Sequence, residues 1–73
     1  MGEPIRLCSG AEAVRKFSKA GWAVSRSKGS HVMLVKQGYQ WTLSVPQHKK
    51  LGPGLLKKLV RQAELDADEF NAL

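Results

Sequence analysis

Apolar residues first recur at helical spacing. Ala13, Val14, Phe17 and Ala20 form one stripe, with Arg15, Lys16 and Lys19 on the other faces. Ser9-Gly10-Ala11-Glu12 has the form of a capping box, a serine followed three residues later by a glutamate. Gly21 stands where a helix of this length would need a residue in the left-handed region. The period then changes. Trp22 and Val24, then Val32 and Leu34, then Trp41, Leu43 and Val45 alternate with other side chains, which predicts three short strands. Pro46 ends the third, because proline cannot continue a ladder in a central position. Gly52-Pro53-Gly54 opens a second helix with the apolar stripe Leu55, Leu56, Leu59, Val60 and Ala63, and with Lys57, Lys58, Arg61 and Gln62 outside. Asp66-Ala67-Asp68-Glu69 repeats the capping pattern before a last short turn, where Phe70 and Leu73 are expected to dock on the core. The expected fold is α+β, in the order α-β-β-β-α. A three-stranded antiparallel sheet carries both helices on one face.

The turns give an expected register. A two-residue Gln37-Gly38 loop pairs Lys36 with Tyr39, Leu34 with Trp41 and Val32 with Leu43, and sets His31 opposite Ser44. A three-residue Ser27-Lys28-Gly29 loop, with Gly29 left-handed, pairs Val24 with Val32 and Trp22 with Leu34. One face is then continuously apolar: Trp22, Val24, Val32, Leu34, Trp41 and Leu43. His31 falls on the other, uncovered face with Ser25, Ser44 and Thr42. Both tryptophans are assigned to the core by this alternation.

Composition sharpens the picture in one respect. The chain of 73 residues is short enough for one domain with a small core, an arm over residues 1–8 and a single domain over 9–73. Any site on it should lie on an open face. The formal net charge is +6. The acids are Glu3, Glu12, Glu64, Asp66, Asp68 and Glu69, so none lies between Ala13 and Ala63, and every Lys and Arg but Arg6 falls in that interval. Such a field suits a phosphate backbone. The bland alternative is a lysine surface that keeps a small protein in solution. Cys8 is the only cysteine, which excludes an internal disulfide and makes a cysteine metal site a poor reading. No apolar run approaches a membrane span and the N-terminus lacks a signal-peptide core, so a cytoplasmic protein is expected.

Within that field Gly29-Ser30-His31 places a histidine at the start of a strand, just after a glycine turn. Histidine is the side chain suited to taking or giving a proton near neutral pH. RNA carries its own nucleophile, the 2′-hydroxyl, so a base beside phosphate-binding groups is enough for cleavage. His31 is the candidate base. Arg26, Lys28, Lys49, Lys50 and the backbone of Gly29 and Ser30 are the candidate phosphate contacts. Ser30 is open to a second reading, a hydrogen bond within its own turn. His48 lies near the same edge; it is either a general acid or a residue of the turn before the second helix, and the turn-like sequence around Pro46 favours the latter. No carboxylate or cysteine accompanies either histidine in sequence, so no metal or other cofactor is expected. A noncatalytic RNA- or DNA-binding module with the same basic face is the rival function.

Gly21-Trp22, Arg26, Gly29-Ser30-His31, Val45-Pro46 with His48, Leu51, Gly54 and Arg61-Gln62-Ala63 together resemble the HicA toxin family, from Ser9 to about Phe70. The resemblance implies a shortened double-stranded RNA-binding fold. It implies an mRNA endoribonuclease that is the toxin of a toxin–antitoxin pair, a HicB-type antitoxin as partner, and His31 as the catalytic histidine. Leu55 stands where relatives commonly carry threonine after the glycine, and Pro53 where they often carry lysine; the second departure removes one possible phosphate contact.

Overall fold

The computed structural model describes residues 4–73; the first three residues of the expected arm lie outside the described residues. The elements are α1 (Gly10–Lys19), β1 (Ala23–Lys28), β2 (His31–Val35), β3 (Leu43–Pro46), α2 (Pro53–Gln62) and α3 (Ala67–Ala72). The antiparallel sheet runs β1-β2-β3, and the helices pack on one of its faces. This is the expected α+β order with a short third helix.

The helix ends form where their capping residues stand. Ser9 Oγ accepts the Glu12 amide at 3.0 Å. The Glu12 carboxylate turns outward to the Arg15 guanidinium, which holds the carboxyl below its ordinary range. α1 closes with both bonds of a Schellman motif: the Gly21 amide donates to Ser18 at 3.1 Å and the Trp22 amide to Phe17 at 3.0 Å. Gly21 supplies the left-handed residue at φ 100. α2 starts with Gly52 as its N-cap and Pro53 in its first turn. It closes in the same way as α1, through Glu64 to Arg61 at 3.0 Å and Leu65 to Val60 at 3.1 Å, but Glu64 sits at φ 60 where a glycine would be unstrained. α3 has the full capping box between Asp66 and Glu69, with bonds of 2.8 and 2.9 Å.

Both hairpins depart from the expected register. Gly29 and Ser30 form the first turn, and Lys28 pairs with His31, Ser27 with Val32 and Arg26 with Met33. A bulge between Val24 and Arg26 then carries an extra residue, Ser25, and Val24 pairs with Leu34. Gly29 at φ 59 is the only positive-φ residue of that turn, as a type II′ hairpin requires. In the second hairpin Leu34 pairs with Leu43, Val32 with Val45, Met33 with Ser44 and His31 with Pro46. Lys36 and Tyr39 do close a turn around Gln37-Gly38, by a 3.1 Å bond, but the chain then wanders to Leu43 before the ladder begins. The ladder is displaced by two residues, an even shift, so each side chain of β3 keeps its expected face.

The core is Ala13, Phe17, Trp22, Leu34, Leu43, Val45, Leu51, Leu56, Leu59, Val60, Ala63 and Phe70. Phe17 and Phe70 meet at 5.3 Å between ring centres. Two residues expected inside are outside: Val24 is 53% exposed and Trp41 49% exposed. β1 is the sheet edge that the helices cover least, and Trp41 precedes β3 instead of pairing with Leu34. Trp22 is buried as expected, edge-on to Tyr39.

Lys16, expected on an outer face, is buried instead. Its Nζ lies 4.8 Å from the centre of the Phe70 ring and donates to the carbonyls of Phe70 and Asn71 at 3.2 and 3.5 Å. Those carbonyls lie in the last turn of α3, where a cation is favoured, and that of Phe70 also accepts the Leu73 amide at 3.2 Å. Lys36 does the same for α1, donating to the Ala20 carbonyl at 2.8 Å while lying over the Tyr39 ring. Residues 4–8 are docked through α3, because Asn71 accepts from the Arg6 amide at 2.9 Å and donates to the Pro4 carbonyl at 3.0 Å.

Candidate active site

The hairpin of β1 and β2 builds the site. His31 is the first residue of β2, on the central strand, with Lys28 across one ladder and Pro46 across the other. Directly opposed residues in such a ladder hold their Cβ atoms about 4.5–5.5 Å apart. The bulge decides which residues join them. With a three-residue turn and no bulge, Ser25 would face His31. With Ser25 absorbed in the bulge, Arg26 and Lys28 share His31's face together with Met33 and Ser44. Arg26, Lys28, Ser30 and His31 are all exposed. The face is turned away from the helices, so no core contact depends on the imidazole.

The far edge of the site is fixed by backbone bonds. The Gln47 amide donates to the Ser30 carbonyl at 2.7 Å, carrying the β2–β3 pairing one step past Pro46. His48, Lys49 and Lys50 follow and are exposed. The Gly10 amide donates to the His48 carbonyl at 2.9 Å, and the Leu51 amide to the Cys8 carbonyl at 2.8 Å. Gly10 is required for this approach, since a Cβ there would stand 2.0 Å from the Pro46 carbonyl oxygen. The backbone of His48 thus anchors the loop to the start of α1, and its ring is left at the surface. Arg26, Lys28, Gly29, Ser30 and His31 come together on one hairpin. Lys49 and Lys50 arrive from the exit of β3, at the same end of the sheet.

Charge at this face is concentrated by the same fold that removes charge elsewhere. Lys16 and Lys36 bond helix carbonyls, and Arg15 pairs with Glu12. The local alternation gave no sign of the two lysine uses, because each carbonyl comes from a distant part of the chain. Burial raises the Cys8 thiol above its ordinary range, against a smaller opposing effect from Lys16, which makes it a poor nucleophile. Among the described residues no group of three or more His, Cys, Asp and Glu side chains is gathered that could hold a metal ion.

The fold and this face define a small α+β domain whose central strand presents a histidine among lysine, arginine and a glycine turn. The family described as the HicA toxin of bacterial toxin–antitoxin systems matches residues 10–65, most of the chain. The chain belongs to that family, and it is the toxin member of a toxin–antitoxin pair with an antitoxin as partner. A comparison with curated proteins gives no significant match. No helix among the described residues is long and apolar enough to cross a membrane.

Proposed function

We propose that this chain is an mRNA endoribonuclease that works without a metal and uses His31 as its general base. The observation that carries the reading is the pairing of exposed His31 with exposed Lys28 beside the Gly29-Ser30 turn. A base and a cation side by side on a solvent-open face fit an RNA phosphate and its neighbouring 2′-hydroxyl. His31 takes the 2′-hydroxyl proton. The 2′-oxygen bonds to phosphorus and the bond to the 5′-oxygen breaks, which leaves a 2′,3′-cyclic phosphate and a 5′-hydroxyl. Lys28 and the Gly29 and Ser30 backbone stabilise charge on the phosphorane. Arg26, Lys49 and Lys50 hold the flanking phosphates. The leaving oxygen takes its proton from solvent or from His48, the second imidazole at this end of the sheet, whose backbone already has a structural task.

The setting is the cytoplasm, with mRNA as substrate and a HicB-type antitoxin as the inhibitor. The rival reading, a noncatalytic RNA- or DNA-binding module, uses the same cations but has no need of His31. A labelled RNA incubated with wild-type protein and with His31→Ala separates the two. Cleavage by the wild type alone supports the enzyme. Binding by both proteins without cleavage by either supports the module.

A further inference from the structure

A groove of about 390 Å³ opens between the docked arm, α2 and the start of α3. Its floor is apolar: Pro4 and Ile5 from the docked arm, Val60 from α2, and Leu65 and Ala67 around the start of α3. Lys57 and Arg61 line it as well. They are four residues apart on α2 and therefore neighbours on one face of that helix. None of the residues proposed to handle RNA lines it.

We propose that this groove is an anchoring site for the antitoxin, and that it receives a segment presenting a bulky apolar side chain with a carboxylate next to it. The inference rests on the toxin reading of the chain but not on the chemistry of His31. The size of the groove suits one or two large side chains, and its apolar floor gives them something to bury against. Lys57 and Arg61 supply the complementary charge for an Asp or Glu beside that anchor. RNA fits less well. The floor offers no aromatic ring for a base to stack on. Glu64 and Asp66, exposed on either side of the lining residue Leu65 in the chain, disfavour a continuous phosphate chain yet tolerate a single carboxylate placed against Lys57 and Arg61. A segment held here leaves the rest of the partner free to reach round the edge of the sheet.

The test uses the whole toxin and the antitoxin of its own pair. Lys57→Glu/Arg61→Glu reverses the charge of the pair, and Ala67→Trp fills the floor; Lys19→Glu, on exposed α1 surface, is the charge control. Affinity for the antitoxin is measured by titration calorimetry, and RNA cleavage is followed in parallel. The expected result is a loss of at least tenfold in antitoxin affinity for both groove variants, with cleavage at the wild-type rate and with Lys19→Glu close to wild type. Wild-type antitoxin affinity in both groove variants overturns the proposal. So does a loss of RNA cleavage or RNA binding in Lys57→Glu/Arg61→Glu with antitoxin affinity intact, which assigns the pair to RNA. If no protein in the set cleaves RNA, the enzymatic reading fails while the affinity measurements still decide the groove.

Discussion

Lys28 and His31 stand directly opposite each other across the β1–β2 ladder, as the residues that close the Gly29-Ser30 turn. The backbone pairing sets the separation of their Cβ atoms and keeps both side chains on one face of the sheet. Replacing His31 by Ala is expected to leave the thermal unfolding midpoint nearly unchanged, because the imidazole faces away from the core. Its cleavage rate should fall by about 10²–10⁴-fold, the usual contribution of a positioned base. Lys28→Ala should cost roughly 10²-fold, as removal of one donor to the charged transition state does elsewhere. Rates on a labelled RNA, with circular dichroism melts of each variant, check both. A folded His31→Ala protein that cleaves normally would remove His31 from the chemistry.

Cleavage should continue in excess EDTA. In the proposed reaction the 2′-hydroxyl is the nucleophile, and the described residues gather no carboxylate-rich ligand set. End-group analysis of the products should find 2′,3′-cyclic phosphate or its hydrolysed form, with 5′-hydroxyl partners. A strict need for added magnesium or manganese with 5′-phosphate products would require a different reaction.

RNA affinity should depend on salt through few contacts. Of the cations in the acid-free interval, Arg26, Lys28, Lys49 and Lys50 border the site, and Lys16 and Lys36 are taken by helix carbonyls. Three to five neutralised phosphates, at about −0.7 each for single strands, give a slope of roughly −2 to −4 in log K against log salt. Titration of His31→Ala with a short RNA at several salt concentrations measures it. Lys36→Met should keep the slope and lower the melting temperature, because it gives up the Ala20 carbonyl and not a phosphate. A slope near zero for the parent would mean that the basic face does not contact the backbone.

The two Schellman closures give a prediction about stability. Gly21 is unstrained at φ 100, whereas Glu64 occupies φ 60 with a Cβ. Glu64→Gly relieves a conformational cost of about 1–2 kcal/mol, offset in part by glycine's freedom in the unfolded chain. The net gain should be roughly 0.5–1 kcal/mol, a rise of several degrees in melting temperature for a domain of this size. Gly21→Ala should move the midpoint the other way. Equal effects of the two substitutions would contradict the assignment.

How much of this was legible in the sequence varies by residue. The faces of β2 and β3 followed from alternation, and they survived a wrong register because the error was two residues, an even number. His31 could therefore be placed on the open side from periodicity alone. Its partner could not. The Ser25 bulge inserts one residue into β1, and nothing in Val24-Ser25-Arg26 distinguishes a bulge from a regular strand, so alternation alone sets Ser25 where Lys28 stands. Trp41 failed for a related reason: alternation continued into a segment that is not yet strand. Lys16 sits at a position that a helical wheel calls polar, and only the arrival of α3 explains its burial. The capping residues Ser9, Gly21 and Asp66 were readable because their bonds are local.

Asn71 joins what lies at opposite ends of the chain, bonding Pro4 and Arg6 from the last helix. The ends of the described chain are therefore neighbours in space. A short polar linker across them would allow circular permutation, with new ends cut in the exposed Gln37-Gly38 turn, at the other end of the hairpin from His31. The same proximity means that a bulky fusion at either end crowds the docked arm and the groove that Pro4 and Ile5 line, so moving a tag from one end to the other does not clear that groove.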